Sequence, residues 1–283
     1  MECLYPVRYL DKKIGEYKYH RCGYCIACRK KRSLQFALRA DHEGKYYEDK
    51  IMLNLSYDDD HIHPPKMYPF SGNLCYKDVS NFWKSLRSYG LDIKYLVAGE
   101  YGENTFRPHY HCLVYGLNAD SDIFYQKTWN EKKKAYICKC KFWPHGDVVV
   151  GPIRQGGSFY VTKYATKEDT QVNLRKEMKK KGQNKPFIHV SQGLGLRYFL
   201  ERPHYYVKTG FMLYKGKKVP IPDYYLKKYE EVYYPDEDAD LRMNEKSREK
   251  HKEIIETTPS GYLPFEWKKE RNKQAEINLK KGK

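Results

Sequence analysis

His109 and His111 stand two apart in the run Arg107-Pro108-His109-Tyr110-His111-Cys112-Leu113-Val114-Tyr115-Gly116. Alternate side chains of a strand share a face, so both imidazoles project together and Leu113 and Tyr115 continue their side. Tyr110, Cys112 and Val114 line the other face, and a run apolar on both faces predicts a central strand covered on both sides. Upstream, Ile93 to Glu100 reads as a second strand, and the short link from Tyr101 to Pro108 makes the two a hairpin. That hairpin brings Glu100 beside the imidazoles as an oxygen ligand. Neutral imidazole suits divalent metals. Two His plus one carboxylate leave coordination positions open, which is a catalytic rather than a closed structural arrangement. A His-x-His pair alone is also ordinary strand sequence; the neighbouring carboxylate is what points to a metal.

A second set lies in Ser158-Phe159-Tyr160-Val161-Thr162-Lys163-Tyr164-Ala165-Thr166-Lys167. It opens a helix, with Ser158 at the capping position. Tyr160 and Tyr164 are four apart and share a helical face, and Lys163 and Lys167 repeat the interval. An amphipathic helix with aromatics inward and lysines outward gives the same pattern. Beside a metal site on a basic chain, the duplicated Tyr-x-x-Lys suits two equivalent nucleophiles, each with a cation. An unperturbed tyrosine has a pKa of ~10, so forming the phenolate at pH 7 costs about 4 kcal/mol. Lys163 or Lys167 would recover part of that electrostatically, or would steady a phosphate or a metal-bound water.

Cys22, Cys25 and Cys28 occur at two-residue gaps around a Gly-containing turn, with Cys3 as a fourth thiolate and His20 as its substitute. Arg29-Lys30-Lys31-Arg32 follows where a cubane iron–sulfur motif would carry a further Cys and Pro. Structural zinc is therefore favoured over iron–sulfur, the alternative being thiols in a loop.

The elements that must hold these groups follow from the rest of the chain. Ile26 to Glu43 reads as a helix stopped at Gly44, with Arg29, Lys30, Arg32 and Arg39 on exposed faces. Lys50 to Tyr57 is a strand, and Asp58 to Cys75 is a Pro-containing loop. Asp58, Asp59, Asp60, His61 and His63 in that loop resemble a metal cluster but fit solvated loop charges better. Asp78 caps a helix whose Val79, Phe82, Trp83 and Leu86 form its core face, ending at Gly90. Asp120 to Glu131 reads as a helix, and Asp147 to Gly151 as a strand. Cys138, Cys140 and His145 offer donors at a spacing that matches no zinc module. Hairpin-sized links among strands and helices predict an α+β fold around a mainly antiparallel central sheet. The expected organisation is an N-terminal Cys-rich knuckle and basic helix over 1–44, a catalytic domain over 45–210, and a hairpin with a charged, largely helical tail over 211–283.

The 283-residue chain carries a net charge of +17. Residues 1–210 hold 36 basic and 22 acidic side chains, so most of the excess accompanies the candidate site. Such a body expects a polyanionic partner. The 29 tyrosines suit stacking on unpaired bases, although sheet and core positions absorb many of them. The basic run from Arg175 to Lys185 fits a solvated loop that engages a DNA backbone, whereas acidic Asp236-Glu237-Asp238 argues against a second DNA-binding domain. No apolar run spans a membrane, no secretory signal opens the chain, and the eight Cys are expected to be reduced. A Walker-type Gly-Lys-Ser/Thr loop is missing, so no helicase motor is expected.

Gly99-Glu100-Tyr101-Gly102, Arg107-Pro108-His109-Tyr110-His111 and Tyr160-Val161-Thr162-Lys163-Tyr164 together resemble the HUH-type rolling-circle replication initiation endonucleases. The chain is most similar to the gokushovirus-like branch from microviruses, single-stranded DNA phages. Pro6, the Cys22–Arg29 segment and Trp143-Pro144-His145-Gly146 share that likeness, which runs intermittently from Cys3 to Phe199. Leu53-Asn54-Leu55-Ser56-Tyr57 maps onto the family's first motif, with Asn54 and Ser56 where Thr is usual. The resemblance implies a nuclease that cuts one strand at the phage origin, leaving a 5′-phosphotyrosine and a free 3′-OH, then rejoins strands to release circles. It implies Mg2+ or Mn2+ on His109, His111 and Glu100, with Tyr160 and Tyr164 as nucleophiles aided by Lys163 and Lys167. Its partners would be single-stranded and origin DNA with the host polymerase and helicase, in the cytoplasm of the bacterial host and without a membrane. Two rivals remain: a non-catalytic, zinc-stapled single-stranded DNA-binding protein, and a plasmid initiator, relaxase or transposase of the same fold.

Overall fold

A computed structural model describes residues 3–11, 15–23, 25–63, 72–102, 106–154, 156–164 and 182–233. The chain divides into two compact units, residues 1–32 with 221–283, and residues 33–220.

The first unit opens with a two-stranded antiparallel hairpin, β1 (Val7–Asp11) and β2 (Glu16–His20), followed by the start of helix α1 (Ile26–Glu43). The extent of α1 matches its sequence expectation at both ends. Its charges do not: Arg29 and Arg39 are buried rather than exposed. Arg39 turns inward because its Nε donates to the Leu194 carbonyl at 3.1 Å, which satisfies the guanidinium away from water.

The second unit is built on a seven-stranded sheet in the order β6-β7-β8-β3-β5-β4-β9, with every pairing antiparallel. β3 (Lys50–Ser56) leads through helix α2 (Tyr76–Ser88) to the hairpin of β4 (Lys94–Tyr101) and β5 (Pro108–Tyr115). Then come β6 (Phe124–Asn130), β7 (Ala135–Cys140), β8 (Trp143–Pro152), helix α3 (Gly157–Tyr164) and edge strand β9 (Phe187–Val190). Short helices α4 (Leu196–Leu200) and α5 (Pro203–Thr209) precede the hairpin of β10 (Phe211–Tyr214) and β11 (Lys217–Pro220). The chain re-enters the first unit as helix α6 (Asp223–Tyr233). An α+β fold on an antiparallel sheet is what the sequence predicts, and the expected hairpin after Gly210 is present.

Strand alternation divides the sheet's side chains between two cores. Leu53, Leu55, Val97, Tyr110, Cys112, Val114 and Val148 pack on Val79, Phe82, Trp83 and Leu86 of α2. Leu96, Ala98, Leu113 and Tyr115 face the other way, onto Ala40 of α1 and Val161 of α3. The central strands are therefore covered on both faces, as their continuous apolar sequence requires. Gly116 ends β5 with φ +83°, and a Cβ there would lie 2.4 Å from the Asp92 carbonyl oxygen, so the turn needs glycine.

Three local expectations are corrected. Residues 120–131 hold strand β6, not a helix: Tyr125 and Trp129 are exposed while Phe124 is buried, and pairing to β7 outweighs the weak apolar spacing of Ile123 and Phe124. Asp78 is not the cap of α2 but lies in its first turn, after Cys75, and its carboxylate accepts from the Tyr57 hydroxyl at 2.7 Å. Ser158 likewise sits inside α3, where its hydroxyl donates to Asp41 instead of capping the helix. The basic run 175–185 lies mostly outside the described residues, as does the acidic patch 236–238.

Candidate metal centre

The β4–β5 register pairs Glu100 with His109, Ala98 with His111, and so places the carboxylate and both imidazoles on one face. His109 Nε2 and His111 Nε2 each lie 3.0 Å from Glu100 Oε1, and 3.1 Å from one another. These three atoms form a nearly equilateral triangle. Ligands about 2.1 Å from a metal in adjacent octahedral positions are spaced about 3.0 Å apart, whereas tetrahedral ligands at that bond length would be about 3.4 Å apart. The donor set thus fits one face of an octahedral site for an oxygen-preferring divalent ion, with the opposite face available to water or substrate.

The outer hydrogen bonds decide which ring nitrogens face that centre. His111 Nδ1 donates to Asn54 Oδ1 at 2.8 Å, and His109 Nδ1 donates to the Arg107 carbonyl at 3.1 Å. An amide or peptide oxygen can only accept, so each Nδ1 carries the proton and each Nε2 presents a lone pair when the ring is neutral. Two lone pairs and a carboxylate oxygen then converge on one point, which a shared cation stabilises. Burial pushes the Glu100 carboxyl upward, but hydrogen bonds from His109 and His111 and their positive potential outweigh it and hold the group below the ordinary carboxylate range.

Each support has a local cause. Asn54 is the Cα partner of His111 across the β3–β5 ladder and alternates onto the same face. It stands where the family motif has Thr, and the sequence gives it no role beyond structure; the strand register, not the residue type, reveals its contact. Arg107 holds the approach to β5 through its guanidinium, which reaches Asp59 and donates to the Tyr57 carbonyl at 2.9 Å.

Helix α3 packs over β4 and β5 on the same face of the sheet. The Tyr160 ring meets the His111 ring edge-on, with centroids 5.6 Å apart, and Tyr160 is 45% exposed. Its phenol therefore borders both the imidazole pair and solvent. Thr162, two residues on, is buried, and its hydroxyl lies 2.8 Å from that of Ser33 on α1, so the helix is anchored by the opposite side from Tyr160. Lys163 is exposed. Tyr164 ends the described part of α3, and Lys167 lies outside the described residues.

The other metal candidates separate clearly. The sulfurs of Cys3, Cys22, Cys25 and Cys28 are brought together. His63 joins Cys75 and Asp78, while Asp58 pairs with His61 and Asp59 with Arg107, so the loop carboxylates do not form one cluster. Cys138 and Cys140 are core residues and do not join His145 in a ligand group among the described residues. His20, the substitute for a cysteine, lies exposed on β2.

Comparison with known proteins places this geometry. Residues 50–169, the span from β3 to just past α3, match the family model described as replication-associated protein ORF2. The chain is 25% identical to replication-associated protein VP4 of Bdellovibrio phage phiMH2K, over 87% of this chain and 79% of that protein. It is 30% identical to replication-associated protein ORF4 of Chlamydia phage 1, over 72% of this chain and only 52% of that protein. With replication-associated protein ORF2 of Spiroplasma virus 4 the identity is 29%, over 74% of this chain and 67% of the relative. No solved structure matches. The chain is accordingly a relative of the phage replication-associated proteins, and the part that matches the family model is the part that carries Glu100, His109, His111 and Tyr160.

Proposed function

We propose that this chain initiates rolling-circle replication by cutting one strand of phage DNA, with an HUH-type site as its catalytic centre. The observation that carries the reading is the contact between Tyr160 and His111, which sets a hydroxyl nucleophile beside a two-His, one-carboxylate ligand set. Relatives named as replication-associated proteins support the biological setting.

His109, His111 and Glu100 would hold Mg2+ or Mn2+, which when bound polarises a scissile phosphate as a Lewis acid. Imidazole donors favour Mn2+ by affinity, so cellular supply helps to decide between the two. The phenolic oxygen of Tyr160 forms a bond to phosphorus while the bond from phosphorus to the 3′ oxygen breaks. The phenol gives up its proton and the departing 3′ oxygen gains one, leaving a 5′-phosphotyrosine and a free 3′-OH. That ester conserves the energy of the phosphodiester, so a later 3′-OH can reseal the strand without ATP. Tyr164 serves as the second nucleophile, attacking the regenerated origin while Tyr160 still holds the old end. Lys163 and Lys167 supply positive charge to the phenolate or the phosphate. The basic surplus of residues 1–210 binds the DNA backbone, and the host supplies polymerase and helicase in its cytoplasm.

Incubation with supercoiled replicative-form DNA of the same phage tests this reading. Conversion to the nicked circle with Mn2+, blocked by EDTA, supports it. Binding without nicking under any divalent metal would instead favour a single-stranded DNA-binding protein.

A further inference from the structure

The four cysteines of the first unit carry an inference independent of strand cleavage. Cys3 precedes the β1–β2 hairpin, Cys22 follows it, and Cys25 and Cys28 lie at the start of α1. Their sulfurs all lie within 4.8 Å of one another, with Cys3 and Cys25 4.0 Å apart and Cys22 and Cys28 3.9 Å apart. A disulfide would bring two sulfurs to about 2.05 Å. Four sulfurs bound at about 2.3 Å around one tetrahedral ion would be spaced about 3.8 Å apart, close to the distances seen. A cubane iron–sulfur cluster would hold its cysteines much further apart.

The backbone is arranged for the ionised form of these sulfurs. The Cys22 N–H points at Cys3 Sγ at 3.2 Å, the Leu4 N–H at Cys25 Sγ at 3.3 Å, and the Cys25 N–H at Cys22 Sγ at 3.4 Å. A thiol accepts such bonds weakly and a thiolate accepts them well, but adjacent thiolates repel unless a cation joins them. Cys3, Cys25 and Cys28 are buried, so water does not screen that repulsion. The packing also needs help. Around the cysteines the core holds only Leu4, Ile26 and Ala27 as fully buried apolar partners, while Val7, Tyr9, Leu10 and Tyr17 of the hairpin are exposed. A lone two-stranded hairpin on so small a core is marginal.

We infer that Cys3, Cys22, Cys25 and Cys28 bind one structural zinc ion, which ties both ends of the β1–β2 hairpin to the start of α1. Lys30, Lys31 and Arg32 follow at once in sequence and offset the double negative charge of a four-thiolate zinc centre.

Elemental analysis of the full chain, purified without added metal, tests the inference. The expected content is about one zinc per chain, released stoichiometrically as a mercurial reagent modifies about four thiols. Replacement by Co2+ should give the visible bands and thiolate charge-transfer absorption of a tetrahedral sulfur site. Cys22→Ser and Cys28→Ser should lose the zinc, whereas the His109→Ala/His111→Ala double variant should keep it. The mercurial titration and cobalt spectrum use the unaltered chain, so a misfolded cysteine variant does not blunt the test. Iron in place of zinc, disulfides between these cysteines, or zinc lost only from the histidine variant would overturn the assignment.

Discussion

Asn54 and His111 are joined side chain to side chain at 2.8 Å, between neighbouring strands of the central sheet. The amide oxygen fixes the Nδ1–H tautomer of a histidine that must offer Nε2 to a metal. Asn54 thus acts on the candidate centre without touching it, as a positioning residue.

Replacing that oxygen should loosen the ring without removing a ligand. Asn54→Leu is expected to weaken Mn2+ binding by about 10- to 100-fold, with nicking largely restored at saturating metal. Calorimetric titration and the metal dependence of nicking measure the two effects. A kcat loss that excess metal does not repair would give Asn54 a different role.

The paired tyrosines make a sharper prediction. If Tyr160 and Tyr164 alternate, Tyr160→Phe and Tyr164→Phe should each still nick the origin, and the double variant should lose at least about 1,000-fold in rate, as expected when a covalent nucleophile is removed. Release of closed circles should fail in each single variant, since that step needs both phenols. One single variant that abolishes all covalent adducts would end the alternation.

How far the site was readable from sequence can be judged from particular residues. Period-two alternation and a short link suffice to bring Glu100 to His109, because a hairpin's register follows from local chain length. The core face of α2 was legible for the same kind of reason, its helical spacing being strong. Asn54 was not, since its partner lies 57 residues away and only sheet order makes them neighbours. Nor were the buried Arg39 and strand β6, where tertiary hydrogen bonding and edge pairing override the local pattern.

Acid should destabilise the chain through His42. This side chain is buried against the Tyr198 ring, centroids 3.9 Å apart, and burial with the nearby Lys45 charge pushes its pKa down to about 3. The unfolded chain takes up a proton near pH ~6.5, which the folded chain refuses until near pH 3. Stability is therefore intact above that upper value and falls with pH between the two, by at most about 1.4 kcal/mol per pH unit. Between pH 6 and 4 the wild type should lose on the order of 2 kcal/mol more than His42→Leu in urea unfolding. Equal losses would show that His42 is not the group concerned.

The core beneath the sheet should be intolerant of truncation. Trp83 is 1% exposed and stacks on Tyr95 with centroids 4.1 Å apart and planes 10° from parallel. Trp83→Ala is expected to cost about 3–5 kcal/mol by chemical denaturation, and Trp83→Phe markedly less. A loss under about 1 kcal/mol for the alanine variant would mean that the contact is not part of the stable core.

Peptide mapping after reaction with labelled single-stranded origin DNA and Mn2+ tests the cleavage proposal most directly. The label should sit on the peptide containing Tyr160 and Tyr164, and should vanish with chelator and in the His109→Ala/His111→Ala double variant. Label on another peptide, or adducts formed equally well without a divalent metal, would contradict the proposal that these phenols and imidazoles form one site.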